Sequence, residues 1–305
     1  MSVATAPKPD VLRAADASRV AAIRNSLDLN DAEAVVLFGE RARREVTAST
    51  ERLLAEVRGR DVAESAEILQ RAAKTIEALD ASTLEARGLF ASHAGRLKKF
   101  RAGFEEAAAM IEGLEGDLKE RAERLAHKVK ALNALHDQAK TFILELDAYL
   151  DAGRAGLTEA AKALAAPAPA AEGAAVAEVA PARDPERVGR LSRRLTELDA
   201  VRAAAVGQLP LVRVVQNVDA PLADRLGEAA RALAAWRADW AELLGLVGVR
   251  RGRRMRPDQV SLAETKATVL KAARAPLAEL EEGRARRAET EARMEQTAET
   301  VRRPG

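Results

Sequence analysis

The sequence predicts an all-α protein, an elongated bundle of long amphipathic helices with coiled-coil character and no β-sheet. Three observations carry this expectation. Hydrophobic residues make up 48% of the 305 while aromatic residues make up only 3%, too few rings for a dense β-core. Charged residues reach 31%, with 49 Lys and Arg interspersed among 47 Asp and Glu, the pattern of long solvated helices and not of a basic nucleic-acid-binding tail. Finally, every strong apolar periodicity in the chain lies close to 3.5 or 3.6 residues and none is 2.

Taken in order, the first 30 residues hold one weak helical pattern (Val11, Leu12, Ala15, Val20, Ile23), read as a poorly ordered N-terminus with a short helix. Asn30 stands before Asp31, Ala32 and Glu33 as in a capping box, where Asn30 accepts from a first-turn amide and Glu33 reaches back. A helix is therefore expected over about 31–58, ended by Gly59. Asp61 with Glu64 repeats the cap signature for a helix to about Leu79, and Ser82 with Glu85 marks a third start.

From Leu97 the pattern sharpens. Counting in sevens places Leu97, Phe104, Ile111, Leu118, Leu125, Leu132, Ala139 and Leu146 on one heptad position, with Phe100, Ala107, Leu114, Arg121, Lys128, Leu135, Phe142 and Tyr149 on its companion. Only Arg121 and Lys128 interrupt that seam, and each is followed by an apolar residue, Ala122 or Val129, to which the stripe can shift. A helix spanning this seam would be about 80 Å long at 1.5 Å per residue, so it must pack along another helix of this or another chain.

Residues 163–184 carry Pro167, Pro169 and Pro181 among Ala and Gly and read as a linker between two helical regions, 31–162 and 185–301. Asp184 followed by Pro185 then opens a helix with the stripe Val188, Leu191, Leu195 and Leu198, which Pro210 should kink by removing an amide donor. Beyond Pro221 the stripe resumes as Leu222, Leu226, Ala229, Leu233, Trp236, Trp240, Leu243 and Val247. Trp236 and Trp240 lie within it and read as core. The last helix, about 258–301, is apolar at Leu262, Val269, Leu277 and Leu280 and charged thereafter.

Candidates for chemistry are sparse. Cysteine is absent, so this chain has no disulfide, thiolate metal site or cysteine nucleophile, which fits an intracellular address. No window approaches the length of apolar sequence that a membrane span needs. His93, His127 and His136 are dispersed, and Glu123 with His127 supplies only two ligands where tight metal sites need three or four. No phosphate-loop or dinucleotide glycine pattern occurs, and no cofactor is expected. The one dense charge cluster is Arg250, Arg251, Arg253, Arg254 and Arg256, directly after the apolar Leu243 to Val249. It reads either as a solvated interhelix loop or as a contact to an anionic membrane; without aromatic residues for base stacking it argues against nucleic acid.

Several stretches then combine. Leu29, Asn30 and Asp31 lead to Phe38 and Gly39, followed by Leu54, Val57, Arg58 and Asp61; Gly88, Leu89 and Phe90 precede Leu97 to Phe100; Leu146, Tyr149, Ala152, Gly153 and Leu157 form a third segment. The most specific is RAAAVGQLPLVRVVQN, with Arg202, Ala205, Pro210, Arg213, Gln216 and Asn217 in register. Kept in this order, the segments resemble the toxic anion resistance family, the TelA-like tellurite-resistance proteins. The chain departs from the family's pattern at Gly207, where the family has Gln, at Val218, which cuts short a run of asparagines, and between Leu244 and Leu262, where a family helical stretch is missing.

The resemblance implies a cytoplasmic bacterial protein tied to tellurite resistance and tolerance of cell-envelope stress. The leading expectation is a non-enzymatic helical protein that assembles with a protein partner, with itself, or at the inner membrane surface. Its alternative is a direct oxyanion-binding protein using arginine side chains; an enzyme whose site is assembled by folding is a third reading. The candidate partner or anion surface is Arg202, Pro210, Arg213, Gln216 and Asn217. Arg213, Gln216 and Asn217 are three and four apart on one helix face, while Val212 and Val215 should point into apolar surroundings.

Overall fold

Helices form every regular element among the described residues, and no strand occurs among them. The computed structural model describes residues 15–58, 61–84, 93–165, 185–248 and 257–303, with the backbone alone for 61–63. In order these are α1 (Ala17–Ser26), α2 (Ala32–Val36), α3 (Glu40–Val57), α4 (Asp61–Glu77), a 3₁₀ turn (Ala81–Leu84), α5 (His93–Ala165), α6 (Pro185–Leu243) and α7 (Gln259–Arg302). The last three run for 73, 59 and 44 residues.

The expected single helix over 31–58 is two helices. Asp31, not Asn30, caps α2 by accepting from the amides of Glu33 (2.9 Å) and Ala34 (3.1 Å), while Asn30 accepts from Arg187 at 2.6 Å. Gly39 then breaks the run with φ +70°, a left-handed conformation that glycine adopts without steric penalty. This turn buries Phe38 edge-on to Tyr149, with ring centroids 5.4 Å apart. A Cβ on Gly39 would sit 2.7 Å from Leu198 Cδ1, so absence of a side chain is required twice over.

α5 begins at His93, and its long seam, from Leu97, holds with one change of register. Leu97, Phe104, Ile111, Leu118, Leu125, Leu132, Ala139 and Leu146 are all buried, and the companion position is buried through Leu114. After Leu118 the companion moves one residue on, passing through a partly buried Val129. Ala122, His136, Ile143 and Leu150 are buried, whereas Leu135, Phe142 and Tyr149 are only partly so. Two consecutive steps of four, Leu114 to Leu118 to Ala122, constitute a stutter that moves Arg121 off the core line, where it is mostly covered and pairs with Glu64 at 2.6 Å. α5 continues through Ala165, past the expected linker start at 163; residues 166–184 lie outside the described residues.

The helices contribute to two units. The first comprises residues 1–58, 131–215 and 289–305, and the second comprises 59–130 and 216–288. They cut across the chain-order regions 31–162 and 185–301, because α5, α6 and α7 each give segments to both.

The first unit's core joins Leu53 and Leu54 of α3, Leu132 and Leu146 of α5, Leu191 and Val212 of α6, and Met294 and Val301 of α7. Gly153 permits close approach of α5 and α6, since a Cβ there would lie 2.5 Å from Leu195 Cδ2. The second unit packs Leu69 and Ile76 of α4 with Ile111 and Leu118 of α5, Leu226 and Leu233 of α6, and Leu262 and Val269 of α7. Trp236 and Trp240 are core residues, as their place in the stripe predicts. Phe104 lies 5.6 and 5.8 Å from their ring centroids, and Trp240 Nε1 donates to Thr265 Oγ1 at 2.8 Å. Lys266 of α7 donates to the carbonyls of Glu77 (3.0 Å) and Leu79 (2.6 Å), capping α4; burial lowers its pKa.

Candidate functional site

The motif residues lie along α6, which is helical without interruption through Pro210 and Pro221. Each proline lacks the amide that would bond four residues back, and both prolines lie on exposed positions of the helix. Val212 and Val215 are fully buried, as expected from their positions.

In the first unit the motif arginines are engaged by α5. Arg202 grips Asp147 through Nε to Oδ1 and through Nη2 to Oδ2 at 3.2 Å. The hydrogen bond to Asp147 raises the arginine's pKa above its ordinary value, reinforcing a permanently charged fork. Arg213 donates from Nη1 to Asn133 Oδ1 at 2.8 Å and lies with Nη2 3.3 Å from Nδ1 of the buried His136. The same Nδ1 lies 3.4 Å from Asp137 Oδ1, so it stands between a guanidinium donor and a carboxylate acceptor. On the far side of α6, the buried Gln208 donates to the Met294 carbonyl at 3.2 Å.

In the second unit Gln216 is buried and Asn217 is exposed, so the expected polar trio does not share one environment. Asn217 borders a groove of about 300 Å³ between α6 and α7, together with Val218, Pro221, Leu222, Arg225, Glu279, Glu282, Gly283 and Arg286. The helices come close here, since a Cβ on Gly283 would lie 2.9 Å from Val218 Cγ1. Its cations are paired: Arg225 with Glu228 (3.2 Å) and Glu279 (3.6 Å), and Arg286 with Glu282 (2.5 Å). Next along the two helices, after Val218 and Arg286, comes a buried ion pair absent from the expectations, Arg287 to Asp219, with Nε to Oδ1 at 2.8 Å.

Asp219 and Arg287 nevertheless had a sequence signal. Asp219 falls three and seven residues before Leu222 and Leu226, and Arg287 falls seven after Leu280 and seven before Met294. Each is a charge on a core position of its helix, a placement that requires an opposite charge nearby. His136 and Gln208 belong to the same class of buried polar groups.

Arg250, Arg251, Arg253, Arg254 and Arg256 lie outside the described residues. The nearest described apolar neighbours, Val247 and Val260, are 49% and 66% exposed. Among the described residues no group of three or more His, Cys, Asp or Glu side chains is arranged to hold a metal ion, and Glu123 and His127 are both exposed. None of their helices is long and apolar enough to cross a membrane.

The fold and these polar contacts define a long-helix bundle protein whose motif arginines tie α6 to α5. The chain belongs to the toxic anion resistance protein (TelA) family, whose pattern matches residues 20–247. It is similar to the uncharacterized protein YaaN of Bacillus subtilis (strain 168), at 23% identity over 227 residues. That alignment covers 71% of this chain and 59% of the relative, so the chain spans less than two thirds of the relative's length. No solved structure matches. The family match stops at residue 247, short of the arginine run.

Proposed function

We propose that this chain serves tellurite resistance and tolerance of cell-envelope stress without catalysing a reaction, by assembling with a protein partner or at the inner face of the cytoplasmic membrane. Family membership supports the resistance role. The observation that carries the mechanism is the engagement of the motif arginines: Arg202 with Asp147, and Arg213 with Asn133 and His136. The Nε–Nη2 edge of Arg202, the fork that best grips an oxyanion, is taken by Asp147, and Arg213 directs donors at Asn133 and His136. With no cysteine, this chain also has no thiol with which to reduce tellurite.

Affinity capture of the tagged chain from tellurite-stressed cells tests the reading. A defined protein partner, or co-fractionation with membranes, is the expected result. Recovery of the chain alone from the soluble fraction would overturn it. A second reading, direct oxyanion binding, is favoured by one observation: five arginines within residues 250–256.

A further inference from the structure

We infer that α1 is a displaceable ligand of its own chain, seated on a helix-docking face of α5 that a partner protein's basic-apolar helix can take over. α1 presents Val20 and Ile23, three apart and flanked by Arg19 and Arg24, and the extended residue that ends it is Leu27. Beneath it, Glu145, Ala148, Ala152, Gly156 and Glu159 recur every three or four residues and so form one face of α5. Ala148 and Ala152 of this face are buried and belong, with Ile23 of α1, to the first unit's core cluster.

Three contacts seat the helix there. Arg19 pairs with Glu145 (Nε to Oε1 3.1 Å), Arg24 pairs with Glu159 (3.5 Å), and a Cβ on Gly156 would lie 2.9 Å from Leu27 Cδ2. Small residues let a second helix come close, and the two carboxylates fourteen residues apart favour one that carries a cation towards each end. The face therefore encodes its ligand in shape and charge, in the manner of a helix laid in a groove.

α1's hold on this face is thin. Ile23 is the one buried residue of α1, against seven in α3. The ion pairs are solvent-accessible, with Arg19 and Arg24 half exposed and Glu159 64% exposed, and exposed pairs contribute little to stability. A ten-residue helix is also marginal away from a surface, so α1 is ordered by docking and lost with it. Local opening of such an element requires much less free energy than opening the core. The inference deepens the partner-assembly reading by giving one partner's chemistry; its failure would leave partner capture elsewhere on the chain untouched.

A fluorescent peptide of residues 15–29, titrated with the full-length chain by anisotropy, supplies the test. Releasing α1 in cis by Ile23→Asp should tighten peptide binding at least tenfold over the wild type. Arg19→Glu with Arg24→Glu, which changes exposed side chains only, should do the same without disturbing the core. Adding Glu145→Lys and Glu159→Lys to the Ile23→Asp chain should abolish binding. Equal affinity in the wild type and both released chains, binding that survives the glutamate reversals, or no binding to any chain would each overturn the inference.

Discussion

Asp219 of α6 and Arg287 of α7 form an ion pair with both side chains out of water, the carboxylate fully buried and the guanidinium 8% exposed. The pair fixes the register of two helices within the second unit. Desolvating two charges offsets most of their attraction, so the pair specifies a register more than it adds stability. Arg287→Met alone should destabilise by about 3–5 kcal/mol, because it strands a buried carboxylate. Asp219→Leu together with Arg287→Met should recover most of that loss. Chemical denaturation of the wild type, the single and the double variant checks both outcomes.

Glu40, in the first turn of α3, predicts an acid response in the first unit. Arg43 holds its carboxylate by two bonds of 2.8 Å, and Arg44 and Arg194 each add one of 2.8 Å. The hydrogen bonds from Arg43 are the largest cause that keeps the carboxyl far below the ordinary carboxylate range; burial opposes them. A depressed folded pKa contributes stability that is present above the unfolded value and lost as pH falls towards the folded one. Glu40→Gln should therefore cost about 2 kcal/mol at neutral pH. Thermal melts from pH 7 to pH 3 should show the wild type converging on the variant below about pH 4.5.

Arg213 links α6 to Asn133 and His136, so its removal should show in stability before it shows in resistance. Arg213→Ala should destabilise by about 1–3 kcal/mol, read as a fall of several degrees in melting temperature. Loss of resistance at an unchanged melting temperature would instead mark Arg213 as a contact to a partner.

The seam on α5 was legible because large aliphatic side chains at heptad spacing leave few alternative packings. The two tryptophans were legible for the same reason, since their ring-lined core extends a stripe already visible from Leu222 to Val247. The break at Gly39 was not, because apolar residues continue on both sides and only the left-handed backbone at one residue divides them. Arg121 could be seen to interrupt the seam, but not that the register would stay shifted as far as Leu150, a result of cumulative helix phase. The motif arginines were visible as polar positions; their carboxylate and amide partners, 55 and 80 residues away in sequence, depend on how α5 and α6 pack.

The arginine run at 250–256 predicts weak recruitment to anionic bilayers. Each charge near such a surface contributes about 1 kcal/mol, enough for reversible and salt-sensitive binding but not for stable anchoring. In vesicle co-sedimentation, binding should require anionic lipid and weaken between low and physiological salt. Replacing Arg250, Arg251, Arg253 and Arg254 with Ser should reduce it. Equal binding to neutral vesicles would point to the exposed Val247 and Val260 instead.

Isothermal titration of the full-length chain with tellurite tests most directly whether this protein works by assembly and not by ligating the anion. With Arg202 and Arg213 already engaged within the fold, the titration should give no saturable heat at micromolar concentrations. Saturable binding with a micromolar Kd, lost on Arg202→Ala or Arg213→Ala, would contradict the account.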